Sequence, residues 1–219
     1  MSERPSFLSQ IPPVTRNLLY VNIVMFLATL VNPVFMKETF SMAFPLATGF
    51  RWWQPLTHMF MHDGWMHIIF NMYSLVIFGM VVERVLGTRK FIIFYLVTGF
   101  GAVLLHFGVE YLQAQALVAA NPGVDPQLIY NRIPGVLGAS GAVYGVLVGF
   151  AMLYPEARLT LIFPPITLSA KWWVAIFIGI ELFTGIAGTS MGIAHFAHLG
   201  GALFGFLLIR FWRRTHKIY

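Results

Sequence analysis

Polar residues punctuate the chain so that six apolar runs stand out, approximately Leu18–Val34, Met66–Val82, Phe91–Tyr111, Val136–Tyr154, Trp172–Ala187 and Ile193–Trp212. Each approaches the roughly 17–25 residues that a helix needs to cross a hydrocarbon layer. The fifth is the shortest and carries Glu181 inside it. The pattern predicts an all-α membrane protein, a bundle of six transmembrane helices over 17–212. A short Pro-broken segment, 1–16, precedes it and a basic tail, 213–219, follows it. The first run has no small-x-small cleavage site after it and further spans follow, so it reads as a retained span and not a signal peptide. No internal repeat of the kind that builds inverted-repeat transporters is evident.

Composition agrees with lipid as the solvent. Hydrophobic residues make up 58% and charged residues 10% of the 219, and the mean hydropathy is +0.75. Soluble domains run at about 45–50% and about 25%. A net charge of +6 raises nucleic acid as a partner, but the basic residues lie at the ends of apolar runs, where membrane topology accounts for them. Of the 14 lysines and arginines, Lys37, Arg51 and Arg132 fall on one side and the other 11 on the opposite side. The positive-inside rule therefore puts both termini in the cytoplasm and the long connections Pro33–Trp65 and Tyr111–Gly135 outside. There is no cysteine, which excludes thiol catalysis, disulfides and Cys-ligated metals.

Polar groups inside spans are costly and mark candidate sites. The second run opens on His58, His62, His67 and Asn71, the fourth on Gly138, Ala139, Ser140 and Gly141, and the sixth carries His195 and His198 near its start. At about 1.5 Å per helical residue, Ser140, His198 and Asn71 all lie roughly 6–8 Å below the outer boundary. Gly141, Gly145 and Gly149 on the fourth run, and Gly201 and Gly205 on the sixth, form small-residue faces that let helices approach closely. Contact between them would bring the Ser140 hydroxyl to His198. A serine needs a base to take its proton, and histidine suits that task near neutral pH. The resulting oxyanion needs donors; Asn71 and His67, four residues apart, share a helix face and can supply them. No carboxylate lies near Ser140 or His198 in sequence, so the expectation is a Ser–His dyad whose imidazole is oriented by packing.

With these residues in place, the sequence resembles the rhomboid family of intramembrane serine proteases from about Arg51 to Gly205. HMFMH-x4-H-x3-N resembles the family's second-helix motif, Gly138-Ala139-Ser140-Gly141 its GxSG, and Ala197-His198-x2-Gly201-x3-Gly205 its sixth-helix histidine motif. Glu83-Arg84 followed by Leu86-Gly87 resembles the turn between its second and third helices, whereas Arg51-Trp52 matches a family Trp-Arg pair only in reverse order. The resemblance implies Ser140 as nucleophile, His198 as general base, and Asn71 and His67 as oxyanion donors. Tyr144 would pack on the catalytic histidine, His58 and His62 would be structural, and Gly138, Gly141 and Gly201 would support the site. It also implies single-span membrane proteins as substrates, cleaved near the outer face without metal or other cofactor. The fifth helix and the Gly185–Gly192 loop would form a gate and cap. A bacterial cytoplasmic membrane is the expected location.

Two other readings remain open at this level. His58, His62 and either His67 or His195 could offer imidazoles to zinc, although no HExxH glutamate accompanies them. A non-catalytic relative that binds or escorts membrane clients is the second. Glu181 reads as a polar tie to a neighbouring helix, and His195 as a packing or water-network residue.

Overall fold

The computed structural model describes residues 6–161, 164–188 and 194–218. In chain order these form α1 (Phe7–Gln10), α2 (Pro13–Val31), α3 (Pro33–Phe40) and α4 (Gln54–Thr57), which continues as a 3₁₀ turn over His58–Phe60. Next come α5 (Trp65–Leu86), α6 (Thr88–Ala120), α7 (Pro126–Tyr130) and α8 (Ser140–Leu153). A small antiparallel hairpin of β1 (Arg158–Thr160) and β2 (Thr167–Ser169) leads into α9 (Ala170–Ile186) and α10 (His195–Arg214). The protein is mostly helical, and α2, α5 and α6 are long and apolar enough to cross a membrane.

Local chemistry sets the element ends. Pro13 starts α2, where its missing N–H costs nothing. Pro33 disfavours helical backbone at Asn32, so the first apolar run breaks there instead of reaching Val34. The Asn32 side chain then accepts from the Phe35 N–H at 3.2 Å and caps α3. Gly87, at φ 76°, separates α5 from α6. Helix α6 continues past Tyr111 because residues 112–120, LQAQALVAA, are good helix formers; it stops at Asn121-Pro122-Gly123. Its 33 residues make a rod of about 50 Å, longer than the ~30 Å hydrocarbon layer. Within α5, Leu75–Gly79 is a π-helical stretch.

Helix α10 is the hub, packing extensively on α6 and α8 and less on α9, while α9 touches α8 only thinly. Glycine makes the α8–α10 contact possible. A Cβ at Gly201 would stand 1.8 Å from the Gly141 carbonyl oxygen, and one at Gly205 would stand 2.9 Å from Gly145 Cα. Phe91, Phe94, Tyr95, Leu75, Val146 and Ile209 fill the buried centre. Outward, Val31, Leu104, Phe183 and Ile186 are 86, 65, 73 and 73% exposed, an apolar exterior that water would not tolerate but lipid would.

Two polar devices fix the ends of the bundle. Glu83, at the foot of α5, is buried against the start of α2. Its Oε1 accepts from the Val14 N–H at 2.9 Å and its Oε2 from the Thr15 N–H and hydroxyl at 2.7 Å each. A carboxylate there satisfies orphan helix donors and complements the helix dipole. At the other end, buried Gln54 stitches the connection before α5 by accepting from the Ala43 and Arg51 N–H groups. It also donates to the Glu38 and Gly49 carbonyls. A two-way bridge between Met42 and Val136 then ties this connection to the segment leading into α8.

Candidate active site

Ser140 is the first residue of α8, so the helix starts at the candidate chemistry and its first N–H groups have no intrahelical acceptor. The approach is shaped by Gly138, whose φ of 129° lies where side-chain-bearing residues rarely sit. Its N–H donates to the His58 carbonyl at 2.9 Å, which anchors the strand of chain before Ser140 to the turn after α4. A Cβ at Gly138 would stand 2.8 Å from His67 Nε2 and 3.5 Å from Ser140 Oγ. The glycine therefore keeps open the space between those two side chains.

Ser140 Oγ lies 2.8 Å from His198 Nε2. The two residues are 58 apart in sequence, and the Gly141–Gly201 contact brings them together. The His198 ring stacks on Tyr144, with centroids 4.4 Å apart and planes 8° from parallel. Its other nitrogen, Nδ1, lies 2.8 Å from Glu181 Oε1. A carboxylate can only accept, so Nδ1 carries a proton and, in the neutral ring, Nε2 presents its lone pair to the Ser140 hydroxyl.

His67 and Asn71 reach the site from α5. The Asp63 N–H donates to His67 Nδ1 at a long 3.4 Å, which leaves Nε2 as the protonated nitrogen on the Gly138 side. Asn71 is buried, and one of its amide hydrogens goes to the His67 carbonyl oxygen at 2.9 Å; the second remains for another acceptor. Two cavities meet at Ser140. One, of about 570 Å³, is lined by His58, Asp63, His67, Gly138 and His198. The other, of about 360 Å³, lies between α5 and α9 and is lined by Phe70, Asn71, Tyr144, Leu147 and Phe177.

The remaining histidines are engaged separately. His58 Nδ1 meets the Gln54 carbonyl at 3.0 Å, His62 packs edge-on to His67, and His195 Nδ1 lies 2.6 Å from Glu181 Oε2. Of the imidazoles in the zinc reading, His62 and His67 are ring neighbours, whereas His195 is held by Glu181. Glu181 is the residue that sequence spacing missed, since it lies 17 positions from His198 and 41 from Ser140. The available signal was its charge within an apolar run, because a buried ionisable group needs partners. The expected gate and cap, Gly185–Gly192, falls partly outside the described residues.

The Rhomboid domain family model matches residues 49–215. Rhomboid protease AarA of Providencia stuartii is 29% identical over 175 residues, 76% of this chain and 58% of that protein. RHOMBOID-like protein 6, mitochondrial, of Arabidopsis thaliana is 29% identical over 156 residues, 71% of this chain and 42% of that protein. Presenilin-associated rhomboid-like protein, mitochondrial, of Rattus norvegicus is 33% identical over 157 residues, 71% of this chain and 37% of that protein. The chain therefore spans between 37 and 58% of the length of these relatives.

Proposed function

The chain belongs to the rhomboid family and is an integral membrane protein, and from that premise we propose that it is a serine endopeptidase that cleaves other membrane proteins in or near their spans. The observation that carries this reading is the 2.8 Å approach of Ser140 Oγ to His198 Nε2. In the proposed reaction His198 Nε2 takes the Ser140 proton as Oγ attacks the scissile carbonyl carbon. The C=O electron pair moves onto oxygen, and His67 Nε2–H, the second Asn71 N–H and backbone N–H groups at the start of α8 stabilise the oxyanion. Collapse re-forms the carbonyl and expels the amine, which leaves with the proton from His198. Water, deprotonated by His198, then hydrolyses the acyl-serine and restores the hydroxyl.

The finer topology belongs to the same proposal. Helices α8, α9 and α10 join α2, α5 and α6 as spans of a 17–212 body, with 1–16 and 213–219 cytoplasmic and the site near the outer face. The charge asymmetry supports that orientation. Single-span membrane proteins are the proposed substrates, and the apolar cavity between α5 and α9 supports entry from lipid. A bacterial cytoplasmic membrane is the proposed location; the relatives include proteins named as mitochondrial.

The test is cleavage of a single-span substrate in proteoliposomes by wild type, Ser140→Ala and His198→Ala, with and without EDTA. Cleavage that survives EDTA and falls at least about a thousandfold in both variants is the expected result. Undiminished cleavage by Ser140→Ala would overturn the reading, and loss to EDTA would favour a metal site.

A further inference from the structure

Glu181 gathers three side chains from two neighbouring helices onto one carboxylate. Its Oε1 accepts from the Tyr144 hydroxyl at 2.5 Å and lies 2.8 Å from His198 Nδ1. Its Oε2 lies 2.6 Å from His195 Nδ1, which also has Thr184 Oγ1 at 3.1 Å. Glu181 is 7% exposed, on a helix that packs only thinly on α8. Here one oxygen sits in line behind the imidazole, giving the order hydroxyl, imidazole, carboxylate at 2.8 and 2.8 Å.

We propose that Glu181 is a positioning residue for the Ser140–His198 pair, so that the site works as a three-membered constellation and not as a dyad oriented by packing alone. The inference rests on the protease reading above. Glu181 fixes His198 in the Nδ1–H tautomer, aims Nε2 at Ser140, and stabilises the imidazolium formed when Nε2 takes the serine proton. No proton passes to Glu181: Nδ1 keeps its hydrogen throughout, and the serine proton travels only by way of Nε2. Tyr144 and His195 take two further lone pairs of the carboxylate, which holds the group in one orientation. Tyr144 serves twice, stacking on the ring and bonding its anchor.

The experiment compares wild type, Ser140→Ala, Glu181→Gln and Glu181→Asp in proteoliposomes, following cleavage of single-span substrates and labelling of Ser140 by a fluorescent fluorophosphonate. Glu181→Gln is expected to lower kcat by about 10²–10⁴ with KM changed less than about threefold. Glu181→Asp restores part of kcat.

A folded Glu181→Gln protein, melting as wild type does, with unchanged kcat would overturn the inference and leave the dyad standing. Wild type that neither cleaves nor labels at Ser140 would overturn the protease reading and this inference with it. Should Glu181→Gln fail to fold, ¹⁵N NMR of histidine-labelled wild type decides, with His198 assigned by comparison with His198→Gln. The Nδ1–H tautomer is expected, and Nε2–H would overturn the proposal.

Discussion

At Gly138 the backbone takes φ 129° beside His67 and Ser140, and a side-chain-bearing residue held there costs about 1–3 kcal/mol. Gly138→Ala should therefore fold with a lowered melting point and lose cleavage at least tenfold, because its methyl group enters the space between His67 Nε2 and Ser140 Oγ. Cleavage within twofold of wild type would show that this space is not needed. Gly138, Ser140 and His198 were legible because each lies in a short motif at or beside a helix start, and Asn71 because it follows His67 by one turn. Glu181 was not legible as a partner of His198. Nothing local to it in the sequence names the histidine, and their meeting depends on how α9 leans on α10. The second role of Tyr144, as donor to that carboxylate, was hidden for the same reason.

Among elements, the α8–α10 contact carries the greatest demand. A methyl group at Gly201 would meet the Gly141 carbonyl oxygen at 1.8 Å, so the helices must part and Ser140 must leave His198. Gly201→Ala is expected to lower the melting temperature and reduce cleavage about a hundredfold or more, the effect of misplacing reacting groups by about 1 Å. Gly179→Ala is the control: its Cβ would meet nothing within 4 Å on α9. Replacing an interior helical glycine there should stabilise by about 0.5–1 kcal/mol and leave cleavage as it was. Equal loss in both variants would mean that glycine acts by flexibility and not by close approach. The small-residue spacing announced this contact in advance. Helix ends were less legible, because hydropathy reports where apolar side chains stop and not where helical backbone does; the polar-tinged continuation of α6 to Ala120 is the clearest instance. The π-helical stretch in α5 left no trace in the pattern of apolar positions.

For the whole molecule, the connection before α5 is a folded cap, and it makes stability depend on pH. Burial holds His58 down at about 4 and, with repulsion from His67 as a lesser cause, His62 at about 3, against an ordinary 6.5. Between 6.5 and about 4 the unfolded chain binds protons that the folded cap refuses. Stability therefore rises with pH and is lost on acidification, by up to about 1.4 kcal/mol per pH unit for each histidine. The melting temperature in detergent should fall from pH 6.5 to 4.5, and less steeply in His62→Gln; a flat profile in wild type would refute the assignment. Glu181 has a last consequence, a mechanical one. It is both the hook that fastens α9 to α8 and α10 and the group set behind His198 Nδ1. On the proposal made above, any swing of α9 wide enough to unfasten the hook would also disarm the base, so an open door and a cocked trigger would exclude one another.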